Sequence, residues 1–206
     1  MCGITGYLGP GDTGRIVHDG LQNLEYRGYD SAGIALAGDT VTVQKTDGEV
    51  GTLPVPDRAE STVGIGHTRW STHGEPTEQN AHPHTDCTGD VAVVHNGIIE
   101  NYDALKAELR DTHVFESDTD TEVIPHLIEI HLADNVSLVT AVQRATTQLE
   151  GSYAIAVTAA GHDGLVIARE DSPLLIGHGD AATYVGSDAT AFIEHTDRVT
   201  YLESGD

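Results

Sequence analysis

Apolar runs of strand length stand at both ends of this 206-residue chain, while helical periods fall near its start and through its middle. Ile4–Leu8 reads as a short strand closed by Gly9-Pro10-Gly11. Asp12 or Thr13 can cap a helix running to about Tyr26, with Ile16, Val17, Leu21 and Leu24 along one face. Residues 25–33 form a polar, glycine-punctuated loop, followed by a hairpin of Ile34–Ala37 and Val41–Gln44 turning at Gly38-Asp39. Val63–Thr68 and Val91–His95 are further strands, the second ending at Asn96-Gly97. Helices are expected at Tyr102–Leu109, after Ser117–Glu122 with Thr119 and Glu122 at capping-box spacing, and over Val136–Leu149. Beyond Gly151 the pattern turns to strands at Tyr153–Thr158, Gly164–Ala168, Leu174–Ile176 and Thr183–Val185. A short helix capped by Ser187 or Asp188 and a last strand at Val199–Leu202 follow. The acidic segment 47–62, with Pro54 and Pro56, reads as a surface loop and marks no domain boundary. Strands on both sides of a helical middle suggest one domain of sheets packed on each other, with helices outside.

The net charge of −23 narrows the partners. Such a chain repels nucleic acid and anionic membranes. The acids are dispersed among patterned apolar segments, which argues against disorder. Lys45 and Lys106 are the only lysines. An acid-rich, lysine-poor surface is expected of a halophile that works in molar salt, where the Debye length is about 3 Å. Two cysteines make no disulfide framework, and no apolar run approaches the ~18–20 residues of a membrane span. No basic n-region or apolar h-region marks a secretory signal, so the expected compartment is the cytoplasm.

Met1-Cys2-Gly3-Ile4 carries the first chemical signal. Removal of Met1, expected before a small residue, would give Cys2 a free α-amine of pKa roughly 7.7–8.0 beside its own thiol. An amine that activates the side chain of its own residue is a known way to make a nucleophile. Taken alone, Cys2 reads more readily as a small buried hydrophobe. Asn96-Gly97 could offer an amide N–H and a backbone N–H to one developing oxyanion, or could be a hairpin turn. Arg69 could grip a carboxylate with its planar fork, and Asp120 an ammonium, yet lone charges are more often solvated. Trp70 is a core residue or a lid. His67, His73, His82, His84 and His95 fall within a short stretch but match no metal-ligand spacing, so no metal is expected. Cys87 sits in a polar loop with no role assigned, and no phosphate-cradling glycine motif is present.

Six motifs then occur in order: Cys2-Gly3-Ile4, Glu25–Gly33 (EYRGYDSAG), Arg69–Glu75 (RWSTHGE), Asn80–His84 (NAHPH), His95–Asn101 (HNGIIEN) and Ser117–Glu122 (SDTDTE). Together they resemble the glutaminase domains of the glutamine–fructose-6-phosphate aminotransferases, which are class II glutamine amidotransferases of the N-terminal-nucleophile hydrolase superfamily. The resemblance spans essentially the whole chain; Ser71 stands where Ala is usual. It implies an α+β fold, a four-layer αββα sandwich of two mainly antiparallel sheets. It also implies hydrolysis of L-glutamine through a γ-glutamyl thioester on Cys2, with Asn96 and Gly97 as the oxyanion hole. Arg69 and Asp120 would bind the substrate carboxylate and ammonium, Thr72 and His73 would line the pocket, Trp70 would close over it, and Arg27 would pack near Cys2. No cofactor is implied. In that family the domain feeds ammonia to sugar-isomerase domains with a fructose 6-phosphate site, usually within a homo-oligomer. Residues 1–206 are therefore expected to be the glutaminase domain alone. A silent binding module is the rival reading if Met1 stays attached, and a metal-binding protein is the third.

Overall fold

Hydrogen-bonded strands build two sheets in the computed structural model, which describes residues 2–56, 61–71 and 74–206. The larger sheet runs in the order β11 (Val199–Tyr201), β9 (Leu175–His178), β10 (Thr183–Gly186), β1 (Gly3–Leu8), β4 (Val63–Arg69), β2 (Ser31–Ala37) and β3 (Val41–Thr46). The smaller sheet runs β5 (His84–Thr85), β6 (Val91–Ile99), β7 (Gly151–Ala159) and β8 (Val166–Glu170). Neighbouring strands within each sheet pair antiparallel.

Period-two alternation decides which face meets which layer. Ile4, Ala35 and Ile65 of the larger sheet meet Ala92, Val94, Ala154 and Ala156 of the smaller one in a dry seam. The alternate residues Val91, Val93, Ile155 and Val157 point the other way, under helices α2 (Tyr102–Leu109), α3 (Val123–Leu132) and α4 (Leu138–Thr146). On the opposite outer face Tyr7, Ile34 and Leu36 pack against Val17 and Leu21 of helix α1 (Thr13–Leu24). The layers are helix, sheet, sheet, helix. The four-layer α+β sandwich expected from the sequence is the fold observed.

Several boundaries differ, each for a physical reason. Asp12 caps α1 by accepting from Arg15 N–H, as read, but the end of that helix tightens into a 3-10 turn over Glu25–Arg27. Ser31–Gly33, read as loop, extends β2 because each pairs with β4 or β3. β6 continues through Asn96-Gly97 to Ile99, paired with β7 throughout, so Asn-Gly is neither a strand end nor a hairpin turn. Glu122 does not close a capping box: its carboxylate accepts from the backbone N–H groups of Glu116 and Ser117, while Thr119 Oγ1 meets His84 Nε2. A 3-10 turn at Asp120–Glu122 precedes α3, which suits Pro125 early in that helix. The predicted helix after Asp188 is only a 3-10 turn, Ala189–Ala191. Among the described residues no helix is long and apolar enough to cross a membrane.

Candidate active site

Register places Cys2. β1 pairs with β4 at Gly3↔Thr68, so Cys2 and the Arg69-Trp70 pair meet just beyond the same sheet end. Trp70 N–H donates to Cys2 Sγ at 3.4 Å, and the thiol faces Trp70 O at 3.7 Å. Burial pushes the Cys2 thiol up, against the Trp70 N–H and the Arg69 charge, which pull it down. Only backbone groups of Trp70 contact the thiol as hydrogen-bond partners among the described residues. Among the described residues no histidine pairs with it as a Cys–His base would.

The polar loop read in the sequence is the bed for that strand end. Asp30 N–H donates to Arg69 O at 3.0 Å, and Asp30 Oδ2 accepts from Ser71 N–H at 2.8 Å. Gly28 makes the close approach possible, since a Cβ there would lie 2.6 Å from the Arg69 carbonyl carbon. Arg27 does not line the Cys2 pocket. Its Nη2 donates to Asp188 Oδ2 at 2.9 Å and borders a separate cavity with Ser187. Ser187 in turn accepts from Ile4 N–H at 3.0 Å, so Arg27 supports β1 from beneath.

Asn96 and Gly97 come from the facing sheet. Asn96 Nδ2 donates to Cys2 O at 3.2 Å, and its Oδ1 lies 3.0 Å from His67 Nε2. A backbone carbonyl only accepts, so the amide nitrogen must face Cys2 and the His67 ring must carry its proton on Nε2. Gly97 has φ +137, and a Cβ would sit 2.0 Å from Ser152 O on the paired strand. Only glycine fits there.

Arg69 is buried, with Nη1 donating to Glu75 O at 3.3 Å. Burial lowers its pKa while Cys2, Asp30 and Asp120 raise it. Asp120 Oδ2 accepts from Ile99 N–H at 2.7 Å, tying the carboxylate to the end of β6. Cys2, Arg69, Trp70, Gly97 and Asp120 all line one cavity of about 40 Å³, and Trp70 is 44% exposed at its mouth, edge-on to Tyr29. A thiol, a cation and an anion thus converge from three distant segments. Thr72 and His73 lie outside the described residues.

His82, His95, Thr119 and Thr121 also line the cavity and were given no site role in the sequence. Of the clustered histidines, His67, His82, His84 and His95 pack ring against ring as a buried group. His67 and His82 lie ring on ring at 4.1 Å, and His82 Nδ1 accepts from His95 N–H at 3.2 Å. His95 Nδ1 meets Thr121 Oγ1 at 2.8 Å. Burial lowers the pKa of all four of His67, His82, His84 and His95, which keeps them neutral around the site. Asn80-Ala81-His82-Pro83-His84, aperiodic by sequence, was the available signal for this wall.

The sequence profile of the "Glutamine amidotransferase domain" family matches residues 67–194. Over its whole length the chain is 77% identical to a glutamine–fructose-6-phosphate aminotransferase (isomerizing) of Halobacterium salinarum, of which it covers 34%. It is 48% identical to the protein of the same name from Pyrococcus horikoshii, covering 36% of that protein. The chain therefore spans about a third of the length of these curated relatives. Among solved structures it is similar to the glutamine phosphoribosylpyrophosphate amidotransferase of B. subtilis, with a TM-score of 0.80 and 27% identity, covering 99% of this chain and 46% of that one.

Proposed function

The chain belongs to the glutamine amidotransferase domain family, and from that premise we propose that it hydrolyses L-glutamine to glutamate and ammonia at Cys2. The observation that carries this reading is the shared cavity of Cys2, Arg69 and Asp120. An amino acid needs an anion for its ammonium and a cation for its carboxylate, and its side-chain amide must then reach a nucleophile. Met1 is removed, and the freed Cys2 amine takes the thiol proton, directly or through a water. Among the described residues only the Trp70 backbone partners the Cys2 thiol, which supports a base within the residue itself. The thiolate attacks the γ-carboxamide carbon, and the oxyanion is held by Asn96 Nδ2 and Gly97 N–H. Collapse breaks the C–N bond; the protonated amine returns its proton to the leaving nitrogen, which departs as ammonia. Water then hydrolyses the thioester to glutamate and restores the thiol. Arg69 holds the α-carboxylate and Asp120 the α-ammonium, Thr72 and His73 complete the pocket, and Trp70 closes its mouth. Arg27 acts only by supporting β1 through Asp188 and Ser187.

The reading extends to the wider protein. Residues 1–206 are its glutaminase domain, and the ammonia passes to sugar-isomerase domains for glucosamine 6-phosphate synthesis from fructose 6-phosphate. That enzyme is a cytoplasmic homo-oligomer, and glutamine hydrolysis uses no cofactor.

Intact mass, before and after a glutamine-mimicking alkylator in molar KCl, tests the proposal. Loss of Met1, one adduct mapped to Cys2, and abolished hydrolysis in a folded Cys2→Ala variant are the expected results. Retained Met1 with no adduct, or turnover that survives Cys2→Ala, overturns it; the first outcome would leave a silent binding module.

A further inference from the structure

Outside the Cys2 cavity, three potential metal donors meet where the β5–β6 loop crosses α3. Cys87 lies in that loop, and His126 and Glu129 stand three residues apart on α3. We propose that Cys87 Sγ, His126 Nδ1 and Glu129 Oε2 form a site for one divalent cation of the zinc class, with His113 Nε2 as fourth donor. Cys87 Sγ and His126 Nδ1 are 3.7 Å apart, and His126 Nδ1 and Glu129 Oε2 3.5 Å. All three donor atoms lie within 4.8 Å of one another. A tetrahedral zinc with bonds of about 2.3 Å to sulfur and about 2.0 Å to nitrogen holds those two atoms roughly 3.5 Å apart. Cys87, His126 and Glu129 already stand near coordination spacing, and His113 has to move in to join them.

The hydrogen-bond roles point the same way. His126 is 1% exposed, and its Nε2 faces Glu122 Oε1 at 3.9 Å. Glu122 is pinned by the Glu116 and Ser117 N–H groups, both at 2.7 Å. His126 Nε2 has no hydrogen-bond partner among the described residues, so the ring proton can sit there and leave the Nδ1 lone pair for the metal. His113 Nδ1 is engaged by Thr112 Oγ1 at 2.9 Å and Leu109 O at 3.3 Å, which leaves its Nε2 turned toward Glu129 Oε2 at 3.6 Å. Cys87 N–H donates to the same Glu129 oxygen at 3.3 Å. Without a cation, a thiol, the His126 imidazole and a carboxylate face one another, with His113 at the edge of the group. One thiolate, two imidazoles and one carboxylate are a borderline-soft set, suited to zinc and unsuited to calcium or magnesium. Cys87 is exposed and gives the ion an entry path. The ion would clamp the β5–β6 loop and the chain beyond α2 to α3, behind the strand that carries Asn96 and Gly97.

The full chain in a Cys2→Ala background leaves Cys87 as the sole thiol. Metal-stripped protein of this kind is titrated with Co²⁺ in molar KCl. One equivalent should produce thiolate-to-cobalt charge-transfer absorption and tetrahedral visible bands, both displaced by one equivalent of Zn²⁺. Zn²⁺ should also raise the thermal unfolding midpoint. Both effects should vanish on further Cys87→Ser substitution, which falls at an exposed position, and weaken at least about tenfold in apparent affinity with Glu129→Gln. No charge-transfer band at saturating Co²⁺, or stoichiometric Zn²⁺ binding unchanged by Cys87→Ser, overturns the proposal. Neither readout depends on glutamine turnover, so the two proposals stand or fall separately.

Discussion

His67 holds Asn96 by its amide oxygen, with Nε2 3.0 Å from Oδ1, while the amide nitrogen is turned onto the Cys2 backbone carbonyl. Burial lowers the His67 pKa to about 3, so the ring is a neutral donor at any working pH. A group that never touches glutamine thereby sets the direction of the proposed oxyanion donor.

Replacing His67 with Phe keeps a flat ring against His82 but frees the amide to flip. Turnover by His67→Phe should fall about 10- to 100-fold, with KM changed much less, because the interaction matters most in the transition state. His67→Gln, which can still donate, should recover part of the loss. Steady-state kinetics on both variants, with thermal unfolding as a control for folding, checks this. Wild-type turnover in a folded His67→Phe would sink the idea.

Gly97→Ala tests the same wall from the backbone side. The new methyl would meet Ser152 O at 2.0 Å, and the residue would be forced to keep φ +137. A loss of at least about 2 kcal/mol is expected in denaturant unfolding, because neither the strain nor the clash can be relieved without unpairing β6 from β7. Activity should drop by about 100-fold or more as the backbone N–H leaves its position.

Acid should destabilise the fold well before the carboxylates titrate. Burial holds His67 near 3, His82 and His84 well below 6.5, and His95 and His126 below their ordinary value. In the unfolded chain these rings take up protons near 6.5, while the folded protein refuses them. Stability from this source is therefore complete above that pH and is lost as pH falls toward the folded values. The unfolding midpoint in constant molar KCl should already decline between about pH 6.5 and 5, where Asp and Glu are still ionised in both states. A flat profile across that window would mean the rings ionise inside the fold.

Salt should act in the opposite sense to its effect on ordinary ion pairs. Exposed pairs such as Arg15–Asp19 and Arg144–Asp134 contribute little and lose even that on screening. Relief of repulsion among the charges that sum to −23 is the larger effect. Raising KCl from dilute buffer to about 1 M, where the Debye length is about 3 Å, should raise the unfolding midpoint. Equal or better stability in dilute buffer would count against a halophilic origin.

Much of this was legible in residue order, because alternation fixes which face a strand buries. Ile4 and Tyr7 of β1 fall on opposite faces as their spacing requires. The motifs placed Cys2, Arg69, Trp70, Gly97 and Asp120 on one cavity. What stayed hidden depends on cross-strand pairing. Asn-Gly looks like a turn until β7 is seen running beside it, and Ser31–Gly33 looks like loop until β4 pairs with it. The histidine stack and the Cys87–His126–Glu129 cluster join segments remote in sequence, and short-range spacing rules cannot register them. Glu122 fits a helix cap locally but is claimed by the backbone of residues 116 and 117.

β1 is synthesised before the strands that cover both of its edges: β4, beginning at Val63, and β10, beginning at Thr183. At about 5–20 residues per second, translation leaves the first strand without its second neighbour for roughly ten seconds or longer. The larger sheet therefore closes around β1 only once residues 183–186 have been made, so most of the chain must emerge before β1 is paired on both edges.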